Sequence, residues 1–342
     1  DLHKAIRRQR QMCIRDSPRP IMERSDWKNL NGLWDYAILP AGKAEPQTFD
    51  GKILVPFAVE SSLSGVQKNV GKDNELWYHQ TFTIPSDWKG KSILLHFGAV
   101  DWKTEVFVND VKIGSHTGGY TPFSFDVTPY LTTGRQKLVV KVWDPTTDGF
   151  QPVGKQHTNP HGIWYTPVTG IWQTVWLEPV SPQYISHIKA IPDIDKNRLS
   201  VAIDAENVKS ADTWEVTVKD GSNVVSKAKG VVGQSLDVSI NNVKLWSPES
   251  PFIYDLEIAL FSNGKLVDKV KSYSAMRKIS TKKDENGIVR MQLNNKDYFQ
   301  FGPLDQGWWP DGLYTAPTDE ALVYDIKTVS YTHLRAHETG RN

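Results

Sequence analysis

The stretch Leu304-Asp305-Gln306-Gly307-Trp308-Trp309-Pro310-Asp311-Gly312 gathers two indole rings, two carboxylates and an amide within nine residues. Indole faces pack against the C–H surface of a sugar ring, while carboxylates and amides exchange hydrogen bonds with its hydroxyls. A few such polar groups set on an apolar wall are what a polar-ligand site requires. Asp305, Gln306, Trp308, Trp309 and Asp311 are therefore candidate substrate-binding residues. The same residues also suit a loop that only packs Trp308 and Trp309 against neighbouring structure. Asp305 and Asp311 do not form a catalytic pair, because a single loop cannot supply two opposed carboxylates flanking a bond.

A second polar and aromatic stretch runs Gly154-Lys155-Gln156-His157-Thr158-Asn159-Pro160-His161-Gly162-Ile163-Trp164-Tyr165-Thr166. His157 and His161 have the spacing of two metal ligands on a helix, but Asn159-Pro160 and Gly162 break that helix. No metal and no cofactor is expected. The sequence contains no G-x-S-x-G elbow, no phosphate-binding P-loop and no G-x-G-x-x-G turn.

The elements that must position these loops are set in 342 residues, 39% hydrophobic and 23% charged, with 40 Lys+Arg against 39 Asp+Glu. A formal charge of +1 gives no electrostatic reason to expect nucleic acid or an acidic membrane as partner. No apolar run approaches the roughly 20 residues that span a bilayer. Thirteen Trp, 12 Tyr and 12 Phe suit strands and flat ligands.

The two ends read differently from the middle. The run from Arg7 to Ser17 can be written in the codons of a transposase adapter used to prepare sequencing libraries, and Val329 to Thr339 in the reverse complement of its partner. Residues 1–17 and 328–342 are therefore expected to be adapter-derived, disordered tails and are set aside from fold reasoning. Setting them aside removes five basic and two acidic residues at one end, and two basic and one acidic at the other, which leaves a formal charge of −3. Cys13, the single cysteine, goes with them. A reading frame cut at both ends is the expectation that follows.

Between the tails the pattern is of short strands. Leu33 to Ile38, Trp77 to Ile84, Ser92 to Phe97, Thr104 to Val108, Phe123 to Val127, Lys137 to Val142 and Thr174 to Leu177 are rich in aromatic and β-branched residues and end in Pro or Gly punctuation. Asn109-Asp110 is a two-residue hairpin signal. Regular spacing without an amphipathic helix predicts an antiparallel jelly-roll sandwich over residues 18–180. Residues 181–277 are also all β, with hairpins at Asp220-Gly221 and Asn263-Gly264, and fit an immunoglobulin-like sandwich without a disulfide. From residue 278 strands at Val289 to Leu293 and Tyr298 to Phe301 flank Asn294-Asn295. Thr318-Asp319-Glu320 then caps a helix reaching Ile326.

In order and spacing, these residues resemble glycoside hydrolase family 2, the β-galactosidase, β-glucuronidase and β-mannosidase group. Arg19-Pro20 with Trp27 to Trp34, then Val55-Pro56-Phe57, Trp77-Tyr78, Leu95 to Asp101 and Val106 to Asn109 are similar to the start and middle of its sugar-binding jelly roll. Gly118-Gly119-Tyr120-Thr121-Pro122-Phe123 and Gly170 to Glu178 match its end, and Leu245 to Pro251 with Tyr254-Asp255-Leu256 match its immunoglobulin-like domain. The resemblance implies that residues 278–327 begin a (β/α)8 barrel, with residues 304–312 following its first strand on the substrate-binding face. It also implies that Gln156, His161 or Trp164 touches a terminal sugar, against the plainer reading of a Trp-Tyr core element with a solvated loop.

The expected function is that of an N-terminal fragment of a retaining exo-β-glycosidase acting on oligo- or polysaccharides. Both catalytic Glu residues of the family lie on later barrel strands, so the fragment is expected to be inactive. The competing class is a non-catalytic carbohydrate-binding or adhesive β-sandwich protein. A carbohydrate is the expected partner, with self-association left open for a full-length parent, and a periplasmic or secreted setting is mildly preferred. An incomplete barrel would leave Leu322 and Ile326 of the helix without a covering surface.

Overall fold

The computed structural model describes residues 17–300 and 304–328. Of the two end segments read as adapter-derived, only Ser17 and Thr328 fall within this range, and the rest lie outside the described residues. The chain divides into two compact units. Among the described residues, one holds 26–179 together with 304–328, and the other holds 19–25 and 180–300.

In the first unit the strands are β1 (Lys28–Asn29), β2 (Gly32–Pro40), β3 (Gly51–Val55), β4 (Asn74–Thr83), β5 (Ser92–Phe97), β6 (Val100–Asp101), β7 (Lys103–Val108), β8 (Val111–Thr117), β9 (Phe123–Asp126), β10 (Arg135–Trp143), β11 (Gly170–Ile171) and β12 (Val175–Val180). They form a six-stranded sheet ordered β3-β2-β4-β10-β7-β8, a four-stranded sheet ordered β1-β12-β5-β9, and a short β11-β6 ladder. Alternation decides the inward face. In β10, Leu138, Val140 and Val142 are fully buried, and they pack in one core with Leu95 and Phe97 of β5 and Leu177 of β12. Trp34 lies in that core edge-on to Tyr78 at 6.2 Å, and its indole N–H donates to the Leu30 carbonyl at 2.8 Å, so its one polar atom is satisfied. The Asn109-Asp110 turn forms as its composition demands, with φ of 49° and 67° joining Val108 to Val111. The jelly-roll expectation is met.

The second unit contains β13 (Tyr184–Asp193), β14 (Arg198–Glu206), β15 (Thr213–Asp220), β16 (Asn223–Val231), β17 (Leu236–Ser239), β18 (Tyr254–Ser262), β19 (Lys265–Ser274), β20 (Ile279–Lys283), β21 (Val289–Leu293) and β22 (Lys296–Asp297). Sheets β13-β14-β17 and β16-β15-β18-β19 enclose Trp214, Val216, Leu256, Ile258 and Leu260, as an immunoglobulin-like sandwich should. Met22 joins this core, and Glu23 exchanges backbone bonds of 2.8 and 2.9 Å with Lys271. Residues 19–25 thus fold with the second sandwich.

The start of a barrel is not visible among the described residues. The expected strand from Tyr298 to Phe301 is replaced by β22, which pairs back onto β21 with Leu293 opposite Lys296, while Phe301 lies outside the described residues. The cause is local. Asn294 and Asn295 take φ of 53° and 64°, a tight two-residue turn that returns the chain at once. The expected helix is present as α1 (Asp319–Thr328), with Thr318 Oγ1 accepting the Ala321 N–H at 3.0 Å. Its Leu322 and Ile326 are 45% and 67% exposed. No helix among the described residues is long and apolar enough to cross a membrane.

Candidate functional site

The loop ahead of α1 folds onto the jelly roll of its own unit. Asp305 turns its carboxylate onto the Gly307 N–H at 2.7 Å, closing a local turn. Trp309 and Leu313 then exchange backbone bonds of 2.8 and 3.0 Å. Gly312 is required inside this turn, since a Cβ there would stand 1.9 Å from the Thr315 carbonyl. The turn drives Leu313 between Ala58 and Val168. Its backbone is held from outside: the Asp311 carbonyl accepts from Ser61 Oγ at 2.5 Å and from the Leu63 N–H at 3.2 Å, and Thr315 Oγ1 lies 2.5 Å from the Trp172 carbonyl.

Docking assembles a wall of aromatic rings. Trp308 stacks on Tyr165 at 4.7 Å and meets Tyr314 edge-on at 5.4 Å. Tyr314 leans on Trp172 at 5.1 Å, and its hydroxyl is 2.9 Å from that of Tyr120. The Trp172 indole donates to the Gly119 carbonyl at 2.7 Å. Gln156, held by an isolated bridge to Tyr165, is 5% exposed, and its Oε1 has no hydrogen-bond partner. That oxygen sits beside Gly154 in the neighbourhood of both tyrosine hydroxyls.

Behind the tyrosines lie three carboxyls. Thr169 ties two of them together, its N–H donating to Glu60 at 2.9 Å and its hydroxyl to Asp144 at 2.8 Å. Thr146 gives Asp144 a further N–H at 2.7 Å. Asp101, on β6, sits so close beneath Gly119 that a Cβ there would be 2.6 Å from its carboxyl. Burial pushes Glu60 and Asp101 up to about 8, reinforced in each by the charge of Asp144, whose own ionisation is pushed up by burial. Glu60 Oε1 is enclosed without a partner, although the residue as a whole keeps some exposed surface. Burial raises Tyr314 as well, with help from the Tyr120 hydroxyl and from Asp101.

The structure separates the sequence candidates. Gln156 and Trp308 come together on the aromatic wall. Gln306 is exposed and meets Lys155 at 3.2 Å, Asp305 is spent on its own turn, and Asp311 contributes through its carbonyl. Trp309 is half-buried within the turn. His161 is exposed, with Nδ1 2.8 Å from the Asn159 carbonyl oxygen, and Trp164 is 38% exposed with its ring 5.7 Å from that of His157. Among the described residues no cluster of three His, Cys, Asp or Glu is placed to hold a metal ion.

Two family descriptions match the chain in series: "Glycosyl hydrolases family 2, sugar binding domain" over residues 27–177 and "Glycosyl hydrolases family 2" over residues 183–277. The chain belongs to glycoside hydrolase family 2. Among curated relatives, a β-galactosidase of Thermoanaerobacter pseudethanolicus is 26% identical over 73% of this chain and 35% of its own length. A β-glucuronidase of Formosa agariphila is 28% identical over 63% of this chain and 25% of its own. The chain thus spans between a quarter and about a third of the length of these two curated relatives. In fold it is similar to a solved β-glucuronidase from Ruminococcus gnavus, with a TM-score of 0.74 at 17% identity, covering 91% of this chain and 55% of that one.

Sequence reasoning on this family 2 chain missed Tyr120, Tyr165, Trp172 and Tyr314 as one assembly, and missed the three carboxyls. The available signal was Asp101 itself, a carboxylate standing in the strand sequence Ala99-Val100-Asp101-Trp102 where an apolar residue would be ordinary.

Proposed function

We propose that this chain is part of a retaining exo-β-glycosidase that removes terminal β-linked sugars from oligo- or polysaccharides. In this reading the jelly roll and residues 304–316 form one wall of the sugar pocket. The observation that carries it is the docked Trp308, stacked on Tyr165 beside the buried Gln156, in a chain of this family. Indole and phenol faces meet the ring, and the Gln156 amide and the exposed Trp164 meet its edges. Retaining hydrolysis also needs a general acid and a nucleophilic carboxylate about 5–5.5 Å apart across the bond. The family carries both on later barrel strands, so the 342-residue chain by itself is inactive in this reading.

The test is hydrolysis of a panel of nitrophenyl β-glycosides by the complete gene product and by the 342-residue chain. Turnover by the first alone supports the proposal, and Trp308→Ala in the complete protein should lower kcat/KM roughly tenfold, about 1.4 kcal/mol of transition-state binding. A complete gene product that binds oligosaccharides saturably but hydrolyses none would overturn it in favour of a carbohydrate-binding protein.

A further inference from the structure

We propose that Glu60, Asp101 and Asp144, closed over by Tyr120 and Tyr314, form a proton-dependent latch. It holds the Trp308-bearing loop against the jelly roll when protonated and releases it as the carboxyls ionise. The geometry has three parts. First, the carboxyls are contiguous: Thr169 bridges Glu60 to Asp144, and Asp101 lies within electrostatic reach of Asp144. Second, no Lys, Arg or His among the described residues forms a salt bridge with any of the three, so ionisation would leave uncompensated buried charge. Third, the loop itself forms part of the cover, since Tyr314 bonds to Tyr120, which follows the Gly119 that lies over Asp101.

The groups facing the cluster are few. Tyr78 on β4 accepts the Ile171 N–H at 3.1 Å through its hydroxyl, and burial raises its ionisation, so it stays neutral. Tyr120 after β8 is likewise raised by burial. His116 on β8 meets Thr121 at 3.2 Å, and burial favours its neutral form. From the 153–165 segment comes the Gln156 amide, while Lys155 is drawn to Gln306. Of the loop's own acids, Asp305 turns its carboxylate onto the Gly307 N–H and Asp311 is half-buried.

Undocking removes Tyr314 from over the site and lets water reach the carboxyls, drawing them from near 8 towards the ordinary range near 4, so that docking binds a proton. Docking is therefore strongest below about pH 4. It weakens as pH rises and reaches its floor once pH passes the docked value near 8.

Hydrogen exchange of the Leu63 amide, which donates to the Asp311 carbonyl across the docking contact, reads this directly in the 342-residue chain in EDTA. After correction for intrinsic exchange, protection should fall by up to about tenfold per pH unit for each proton released between about pH 5 and about pH 8. The Val140 amide in the β10 core serves as the control for folding. Asp101→Asn and Glu60→Gln, which imitate the protonated groups, should each flatten the dependence and keep the loop protected at high pH. Protection that does not vary with pH would overturn the proposal, as would an unchanged slope in both folded variants. So would a slope abolished by millimolar Ca2+ or Na+, which would make the cluster a cation site.

Discussion

The two sandwiches bury carboxylates in opposite ways. In the second, Asp268 is 7% exposed and fully answered: Arg24 donates to it at 2.7 and 3.2 Å, and the Ile185 N–H adds a bond of 2.8 Å. In the first, Glu60, Asp101 and Asp144 share a site with threonines, tyrosines and one amide, and among the described residues no cation forms a salt bridge with them. A buried charge given a fixed fork of donors becomes a permanent anchor, here tying residues 19–25 to β19 and β13. Carboxyls given only neutral neighbours remain able to take up or lose a proton. The Arg24–Asp268 arrangement supports a fixed joint, and the Glu60, Asp101 and Asp144 arrangement supports a contact that responds to its surroundings.

The harshest way to break the contrast is to strip the anchor of its cation. Arg24→Met leaves Asp268 buried with only part of its donor set, and losses of about 3–5 kcal/mol are typical of such a change. Urea unfolding followed by the fluorescence of the buried Trp214 measures it. Loss of under 1 kcal/mol would mean that the pair is dispensable and that the comparison rests on geometry alone. The matching change in the first unit is gentler. Gly119→Ala sets a methyl 2.6 Å from the Asp101 carboxyl and should cost about 1–3 kcal/mol, because the carboxyl must shift within a closed site. Thermal unfolding of that unit checks it, and a neutral outcome would show that Asp101 has room to move.

What could be read from the sequence follows the range of the forces involved. Hairpins at Asn109-Asp110 and Asn263-Gly264 are legible because positive φ is a demand made on one or two residues, and the sequence meets it on the spot. The helix start at Thr318 is equally local. The same chemistry at Asn294-Asn295 was legible as a turn, but not its consequence, an immediate return that leaves residues 298–300 outside any strand. Trp308 was legible as a ring seeking a partner, while its stack on Tyr165, more than a hundred residues away, depends on the whole jelly roll. The carboxyl cluster was the least legible. Glu60 and Asp144 come from two separate connections, where nothing local distinguishes them from surface acids, and only Asp101, set in the strand sequence of β6, carries a local signal.

The smallest expected effect sharpens the comparison at its weak end. Glu257 on β18 lies between Lys219 at 2.5 Å and Lys269 at 2.9 Å, and these ammonium groups hold its carboxyl down at about 2. It is a partly exposed pair network on a sheet face, so solvent screening limits its worth to under about 1 kcal/mol. The sign is opposite to that of the latch. A carboxyl depressed in the folded state stabilises above its ordinary range near 4.5, and that contribution fades as pH falls through about 2. Glu257→Gln should therefore lower the urea midpoint slightly at neutral pH and make no difference near pH 1, where the wild-type carboxyl is itself mostly protonated. An equal loss at both pH values would assign the effect to packing of the side chain on the sheet and remove charge from the account of this site.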